Sequence, residues 1–247
     1  MSMTEVSIAM PEGPARAFTF APSSGTGPWP GAVFVMDAPA IRPALFEMCQ
    51  RLADGGYFVL LPDMFWRAGP YEPINLREAM ASDEARRAVF GRLRGSTDAA
   101  KMNADMGVFI DYVLGQDQVK GSAVGLTGYC MGGGVVLRAA GTYPDKVASA
   151  GAFHGGNMAT DAEDSPHLLA PRIKARIYVG GADQDNGFLP DQAERLAKAL
   201  TAAGVSNKVE IYEGARHGYA PKDMPAYNEA GAERHWRELF KLFSETL

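Results

Sequence analysis

The feature that most constrains this chain is a glycine-rich turn that carries a cysteine. Residues 128–134 read GYCMGGG; they follow a strand-like run, KGSAVGLT, and precede a helix-like run, VVLRAAGTY. A nucleophile on a sharp strand-to-helix turn has a strained backbone and needs small residues around it. Gly128, Gly132 and Gly133 provide that room, and N–H groups at the start of the next helix favour a thiolate at Cys130. The turn therefore predicts an enzyme with a cysteine nucleophile.

A structural role and a phosphate-binding role for this turn also stay open from these residues alone. A free cysteine often serves as a small buried hydrophobic residue, and glycine-rich loops after strands also bind phosphates. The motif residues that usually accompany a phosphate-binding loop are missing here, because no P-loop lysine follows the glycines and no early G-x-G-x-x-G precedes an acidic residue. The choice between a catalytic and a buried cysteine depends on the residues that accompany Cys130 further along the chain.

Composition narrows the class of protein. A chain of 247 residues with 47% hydrophobic residues can bury a full core, and this length suits one α/β unit, so we expect a single domain over 1–247. The net charge of −5, without blocks of like charge, disfavours nucleic acid and an anionic membrane surface as partners. We therefore expect a small-molecule substrate; the oligomeric state stays open.

The N-terminus and the cysteines suggest a compartment. The start, MSMTEVSIAMPEG, lacks the features of a signal peptide, and no long apolar run indicates a membrane span. We expect a cytoplasmic protein in which Cys49 and Cys130 stay unpaired, with Cys49 in the core at helical spacing from Leu45 and Leu52. Because C-x-x-C and H-E-x-x-H motifs are absent and the four histidines are scattered, we expect neither a metal ion nor another cofactor.

Apolar strand-like runs alternate with helical runs along the chain, which is typical of an α/β fold: a mostly parallel sheet with helices on both faces. The predicted strands are GAVFVMD, YFVLLPD, SAVGLTG, VASAGAFH, ARIYVGG and KVEIYEG. An opening pair, near VSIAM and RAFTF, is predicted to add an antiparallel edge. The predicted helices cover residues 42–54, 98–115, 132–142, 190–203 and 225–245.

A charged, arginine-rich segment, residues 64–97, interrupts this alternation. Segments inserted at the carboxyl ends of strands commonly shape the pocket of open α/β sheets. We interpret it as a lid or pocket wall, with a solvated connecting helix as the alternative.

Two later strands lead into residues that would complete a catalytic triad. ARIYVGG is followed by ADQD, which contains Asp183, and KVEIYEG is followed by ARHGYA, which contains His217. Nucleophile, acid and histidine, each just past a different strand, is the chain order of the α/β-hydrolase triad. The sequence therefore predicts a triad of Cys130, Asp183 and His217, with Asp185 as a substitute acid.

With these landmarks in order, the chain resembles the dienelactone hydrolases, a cysteine-dependent branch of the α/β-hydrolase fold. The resemblance covers about residues 4–245 and is carried by PDMFWR, GYCMGG, GGADQD and GARHGY. It implies an α/β-hydrolase fold and hydrolysis of a carboxylic ester or lactone. It also favours Asp183 over Asp185, since the family's GG-x-D pattern ends on Asp183.

The chemistry of such a site accounts for each residue type. An unperturbed cysteine has a pKa of about 8.5, so it needs a base or a lowered pKa to act at neutral pH. His217 would take the proton and Asp183 would orient the imidazole. Cys130 would then attack the ester carbonyl to form a thioester, which water hydrolyses. The backbone N–H groups of Met131 and Ala38 are predicted to bind the oxyanion.

Two positions depart from the family's pattern. Dienelactone hydrolases carry a glutamate that contacts the nucleophile; the shorter Asp37 stands here, either as a modulator of Cys130 or in a structural role. The family also clasps the lactone carboxylate with two arginines, and the second position is Pro221 here. Arg87 is the candidate for the first arginine, with Arg86 as its substitute.

Further pocket candidates are Arg67, Trp66 and Tyr71, near the start of the inserted segment. His154, beside the glycine-rich turn, is another, although a buried histidine with hydrogen-bond partners is an equal alternative. With half of the arginine clasp missing, the substrate need not be a dienelactone.

The sequence therefore predicts a hydrolase of carboxylic esters or lactones with a thioester acyl-enzyme. A thioesterase or a broad-specificity esterase shares the same chemistry and stays open. A non-catalytic ligand-binding protein on a hydrolase scaffold is the alternative from another class, because a fold alone does not guarantee activity.

Overall fold

The computed structural model describes residues 3–79 and 81–247 and contains one eight-stranded sheet. The strands are β1 (Met3–Met10), β2 (Gly13–Phe20), β3 (Trp29–Val35), β4 (Phe58–Pro62), β5 (Val119–Tyr129), β6 (Val147–Phe153), β7 (Arg176–Gln184) and β8 (Asn207–Arg216). Their order across the sheet is β1-β2-β4-β3-β5-β6-β7-β8. Strands β3 to β8 run parallel, and β1 and β2 add an antiparallel edge. The predicted fold class, including this edge, is confirmed.

The helices are α1 (Pro43–Asp54), α2 (Leu76–Ala79), α3 (Asp83–Gly95), α4 (Ala99–Leu114), α5 (Met131–Thr142), α6 (Pro190–Ala202) and α7 (Glu229–Ser244). Polar side chains fix several of their starts, because each accepts a hydrogen bond from an otherwise unpaired N–H group of the first turn. Asn228 does so for Gly231, which is why α7 begins at Glu229 rather than at the predicted residue 225. Helices α2 and α3 lie within the inserted segment, where no helix bounds were predicted.

The two faces of the sheet are covered by different helices. A Cβ atom at Gly125 of β5 would meet Phe243 of α7 at 2.7 Å, whereas one at Gly128 would meet the backbone of Gly132 in α5. Alternate strand residues point to opposite faces, so these glycines, three positions apart, place α7 and α5 on opposite sides. Strands buried on both faces need apolar residues throughout, as in the fully buried β4, FVLLP.

The parallel strands place their carboxyl ends at one edge of the sheet. The turn after β3, Cys130 after β5, the loop after β7 and His217 after β8 therefore meet at this edge. Among the residues that the structure describes, no helix is long and apolar enough to cross a bilayer.

Candidate active site

Cys130 lies on a strained turn between β5 and α5. Its backbone has φ 53° and ψ −114°, and non-glycine residues rarely adopt a positive φ. A Cβ atom at Gly128 would lie 2.1 Å from the carbonyl oxygen of Gly132, and one at Gly132 would lie 2.5 Å from that of Val35. The turn can therefore form only because these positions lack side chains, which is the local reason for the glycine-rich sequence.

Cys130 is the first member of a chain of hydrogen bonds. Its Sγ lies 3.0 Å from Nε2 of His217, and Nδ1 of His217 lies 2.6 Å from Oδ2 of Asp185. The other carboxylate oxygen of Asp185 accepts a hydrogen bond from the N–H of Gly187 at 2.7 Å. The Asp185 side chain is only 4% exposed, so its contact with His217 is largely shielded from water. The structure thus brings a thiol, an imidazole and a carboxylate into one line.

The prediction that Asp183 orients His217 is wrong, because Asp185 occupies that place. Strand β7 continues to Gln184, and its register with β8 shifts between Ala182 and Gln184. Asp183 therefore still belongs to the strand; it is exposed and its carboxylate accepts a hydrogen bond from the N–H of Gly214 at 3.2 Å. Asp185 is the first residue beyond the strand and can turn toward the imidazole.

The environment of His217 favours its protonated form. The hydrogen bond to Asp185, followed by the one to Cys130, raises the pKa of His217 to about 10, against the opposing effect of burial. An imidazolium 3.0 Å from a sulfur atom stabilises a thiolate there. The arrangement can therefore hold a positive charge beside the sulfur of Cys130 at neutral pH.

The two N–H groups predicted to bind an oxyanion both belong to residues at the cleft. Ala38 lies in the turn after β3, where the N–H of Ala40 donates to the carbonyl of Asp37 at 3.2 Å, and Met131 is the first residue of α5. Neither the Ala38 N–H nor the Met131 N–H donates to an acceptor within residues 3–79 and 81–247. Both are thus free to bind a negatively charged oxygen near Cys130.

Asp37 does not show the contact with the nucleophile that its position suggested. Both of its carboxylate oxygens bind the guanidinium of Arg42, at 2.5 and 2.8 Å. Burial raises the pKa of Asp37, and the charge of Arg42 opposes that shift. The interpretation of Asp37 as a modulator of Cys130 is replaced by its structural alternative, since Arg42 engages both oxygens.

Arg42 is a residue that the sequence reasoning missed. Its side chain is fully buried, and besides Asp37 it binds the carboxylate of Asp223 through Nε at 2.6 Å and the carbonyl of Ala40 at 3.2 Å. It therefore connects the turn that carries Ala38 to the loop that follows His217. No pattern in the neighbouring sequence predicts that Arg42 is buried, because an arginine directly before a helix usually lies in solvent.

A cleft with two lobes opens on both sides of Cys130 and His217. The first lobe, of about 560 Å³, is lined from the inserted segment and from the loop after β8; we call it the arginine lobe, after Arg86, Arg87 and Arg94. The second, of about 460 Å³, is lined from α4, α5 and the loops after β6 and β7; we call it the methionine lobe, after Met102 and Met131, which line it together with Val135. Cys130 and His217 line both lobes.

The arginine lobe contains the predicted Arg87 and its substitute Arg86. Arg86 pairs with Asp83 at 2.9 Å, whereas Arg87 has no ion-pair partner among the described residues. Arg94 was missed, although it lies two helical turns after Arg87 and a helical periodicity could have found it. The guanidinium of Arg94 stacks over the ring of Phe90.

Three other predicted pocket residues lie outside both lobes of the described cleft. The indole N–H of Trp66 and the guanidinium of Arg67 bind the buried Asp105, at 3.0 and 2.6 Å. The hydroxyl of Tyr71 donates to Asp63 at 2.7 Å. These side chains fasten the start of the inserted segment to the sheet and α4, which corrects their assignment to the substrate pocket.

His154 is fully buried behind His217 rather than exposed to the cleft. Its ring lies edge-on to those of His217 and Tyr219, with centroids 5.5 and 5.0 Å away. Neither ring nitrogen has a hydrogen-bond partner among the described residues, and burial lowers the pKa of His154 well below its usual value. His154 is therefore a neutral packing partner of His217, which corrects its assignment to the pocket lining.

Two further sequence predictions concern metal binding and the second cysteine, Cys49. Within the described ranges, no group of three or more His, Cys, Asp or Glu side chains is placed to hold a metal ion. Cys49 is fully buried in the core, as predicted, and both it and Cys130 carry free thiols.

Known proteins resemble this chain in sequence. The family model of the dienelactone hydrolase family matches residues 15–247. A provisionally named carboxymethylenebutenolidase from Methylorubrum extorquens is 26% identical over 247 residues, which cover 98% of this chain and 80% of the relative. One of the same provisional name from Escherichia coli K12 is 24% identical over 235 residues, covering 93% and 82%.

Solved structures agree in fold. A provisionally named dienelactone hydrolase from Klebsiella pneumoniae superimposes with a TM-score of 0.83 at 22% identity, covering 98% of each chain. A dienelactone hydrolase-like promiscuous phosphotriesterase from metagenomic libraries gives a TM-score of 0.78 at 22% identity, covering 100% of this chain and 99% of the other. At this level of identity the two structures show the shared α/β-hydrolase fold alone. Because the family match spans nearly the whole sequence, the chain is a carboxylic ester hydrolase that belongs to the dienelactone hydrolase family.

Proposed function

We propose that this protein hydrolyses carboxylic esters or lactones with Cys130 as nucleophile, His217 as base and acid, and Asp185 as the residue that orients His217. The observation that carries the proposal is the continuous hydrogen-bonded line from Sγ of Cys130 to Oδ2 of Asp185 at the centre of a two-lobed cleft. Such a line supplies both the activated nucleophile and the proton donor that acyl transfer requires.

The first half of the reaction forms a thioester. The thiolate of Cys130 adds to the ester carbonyl carbon, and the carbonyl π-electrons move to oxygen to give a tetrahedral oxyanion. When the oxyanion collapses, the C–O bond to the alcohol breaks, and the imidazolium of His217 donates its Nε2 proton to the leaving alkoxide. The alcohol departs and the acyl group stays on sulfur, while Asp185 holds the neutral imidazole through Nδ1.

The second half restores the enzyme. Neutral His217 takes a proton from water at Nε2 as the water oxygen adds to the thioester carbonyl carbon. Collapse of this second oxyanion breaks the C–S bond and releases the acid together with the thiolate, which again faces an imidazolium. The N–H groups of Ala38 and Met131 stabilise both oxyanions, and loss of one such donor typically costs about 3 to 4 kcal/mol in the transition state.

The arginine lobe suggests the kind of acyl compound that binds. We propose that Arg87 binds a carboxylate of the substrate, with Arg86 and Arg94 contributing positive charge, and that residues 64–97 form the wall of this lobe. Three guanidinium groups around one cavity favour an anionic ligand. A working thiolate also fits a reducing compartment, which supports a cytoplasmic location.

The test compares a dienelactone with a neutral p-nitrophenyl ester for the wild type, Cys130→Ala and Cys49→Ala. We expect the wild type and Cys49→Ala to hydrolyse at least one substrate equally well and Cys130→Ala to be inactive. Turnover that survives in Cys130→Ala would refute the mechanism. Turnover of the neutral ester alone would keep the mechanism and exclude the dienelactone as a substrate.

A further inference from the structure

The two lobes lie on opposite sides of the nucleophile. Cys130 follows β5, which lies between β3 and β6 in the sheet. The arginine lobe includes Ala38, from the turn after β3, whereas the methionine lobe includes Asn157, from the loop after β6. A bound carbonyl group at Cys130 would therefore have space on both of its sides.

The two lobes also differ in the charge that they offer. The arginine lobe carries Arg86, Arg87 and Arg94. In the methionine lobe Asp98 and Arg138 are already engaged. Asp98 accepts a hydrogen bond from the N–H of Lys101 at 2.8 Å, and Arg138 binds Asp164. Of the other side chains that line this lobe, Asn157 is polar, whereas Met102, Met131, Val135 and Pro166 are apolar. The methionine lobe therefore offers a largely apolar surface that carries no free charged group and suits an alkyl chain.

The shape of an ester depends on whether it is open or cyclic. In an open-chain ester, the acyl chain and the alkyl chain point away from each other across the C–O bond, so the molecule is extended. A small lactone ring forces both chains to the same side, so the molecule is compact and needs only one lobe. A cleft that extends in two directions from the nucleophile is therefore complementary to the open-chain form.

We infer that this enzyme acts on open-chain monoesters of dicarboxylic acids, with the free carboxylate in the arginine lobe and an alkyl group in the methionine lobe. The inference rests on the proposed hydrolase function and specifies its substrate class. It differs from a lactone substrate, in which acyl and alcohol parts belong to one ring and are not released as separate molecules. Hydrolysis here yields a dicarboxylate and a free alcohol.

The experiment uses monoethyl and monohexyl glutarate, followed by pH-stat titration of the released acid. A fully buried methylene raises binding by about fourfold, and the hexyl ester has four more methylenes than the ethyl ester. Because the lobe is open to solvent, we expect the hexyl ester to be preferred by about tenfold in kcat/KM. Equal kcat/KM values for the two esters in the wild type would overturn the inference.

Two glycine variants test which lobe causes the preference for the hexyl ester. Gly134 lines the methionine lobe, where a Cβ atom would meet only the carbonyl of Gly156 at 3.8 Å; Gly91 lines the arginine lobe and has nothing within 4 Å. Both lie in helices, where leucine is favoured over glycine, so both variants should fold. We expect Gly134→Leu to reduce the hexyl-to-ethyl preference to about twofold or less, and Gly91→Leu to retain it.

The outcomes separate this inference from the proposed function. A preference that persists in Gly134→Leu, in protein whose melting temperature is unchanged, would overturn the assignment of the methionine lobe. Absence of any turnover that depends on Cys130, for these monoesters and for the neutral ester, would instead refute the proposed hydrolase mechanism.

Discussion

Replacing Asp185 by asparagine should weaken the positive charge that His217 places beside the sulfur of Cys130. The hydrogen bond that His217 donates to Asp185 is the largest cause of the raised pKa of His217, which lies near 10 instead of near 6.5. Since the pKa is raised in the folded protein, the wild type keeps the imidazolium as pH rises from about 6.5 to about 10. In Asp185→Asn the imidazolium should be lost at lower pH, and with it the positive charge that favours the thiolate of Cys130.

The size of this effect follows from the geometry of the contact. A hydrogen bond to a charged group contributes about 1.5 to 3 kcal/mol, or roughly 10- to 150-fold in an equilibrium. The bond is 2.6 Å long and Asp185 is buried, but the His217 side chain is 36% exposed, so water screens part of the interaction. We therefore expect a decrease of about 10- to 30-fold in the rate at which iodoacetamide alkylates Cys130 at pH 7.

The assay is the alkylation rate of Cys130 from pH 5 to pH 11, measured by mass spectrometry so that the buried Cys49 does not contribute. Above about pH 10 the rates of wild type and Asp185→Asn should converge, because His217 then loses its positive charge in the wild type as well. Asp183→Asn is the matched control and should follow the wild type. A profile that shifts in Asp183→Asn but not in Asp185→Asn would refute the assignment of the acid.

Three further predictions concern the surroundings of the site. Arg42→Ala leaves the buried carboxylate of Asp37 unpaired and should lower the free energy of unfolding in urea by about 3 to 5 kcal/mol, and a second change, Asp37→Ala, should restore part of it. Gly128→Ala places a Cβ atom 2.1 Å from a backbone oxygen, so it should lower the free energy of unfolding in urea by more than about 3 kcal/mol. Gly91→Ala should raise the free energy of unfolding by about 0.5 to 1 kcal/mol. Arg87→Ala should raise KM for monohexyl glutarate about 5- to 10-fold and leave the neutral p-nitrophenyl ester unchanged; an equal effect on both esters would exclude carboxylate binding.

The sequence by itself determined those features that depend on local constraints. Alternating strand and helix patterns indicated the sheet, because strands buried on both faces must be apolar throughout. The glycine-rich turn indicated Cys130, because only residues without a Cβ atom fit at Gly128 and Gly132. The order of elements then placed His217 at the same edge as the nucleophile, since parallel strands end on one side of a sheet.

Only the tertiary structure decided which partners these residues have. The sequence pattern favoured Asp183, but β7 continues through Asp183 to Gln184 and its register with β8 shifts there, so Asp185 is the carboxylate that reaches His217. The contact between Arg42 and Asp223 joins residues 181 positions apart. Such contacts are invisible to local reasoning because their energy comes from charges that the folded chain brings together and shields from water.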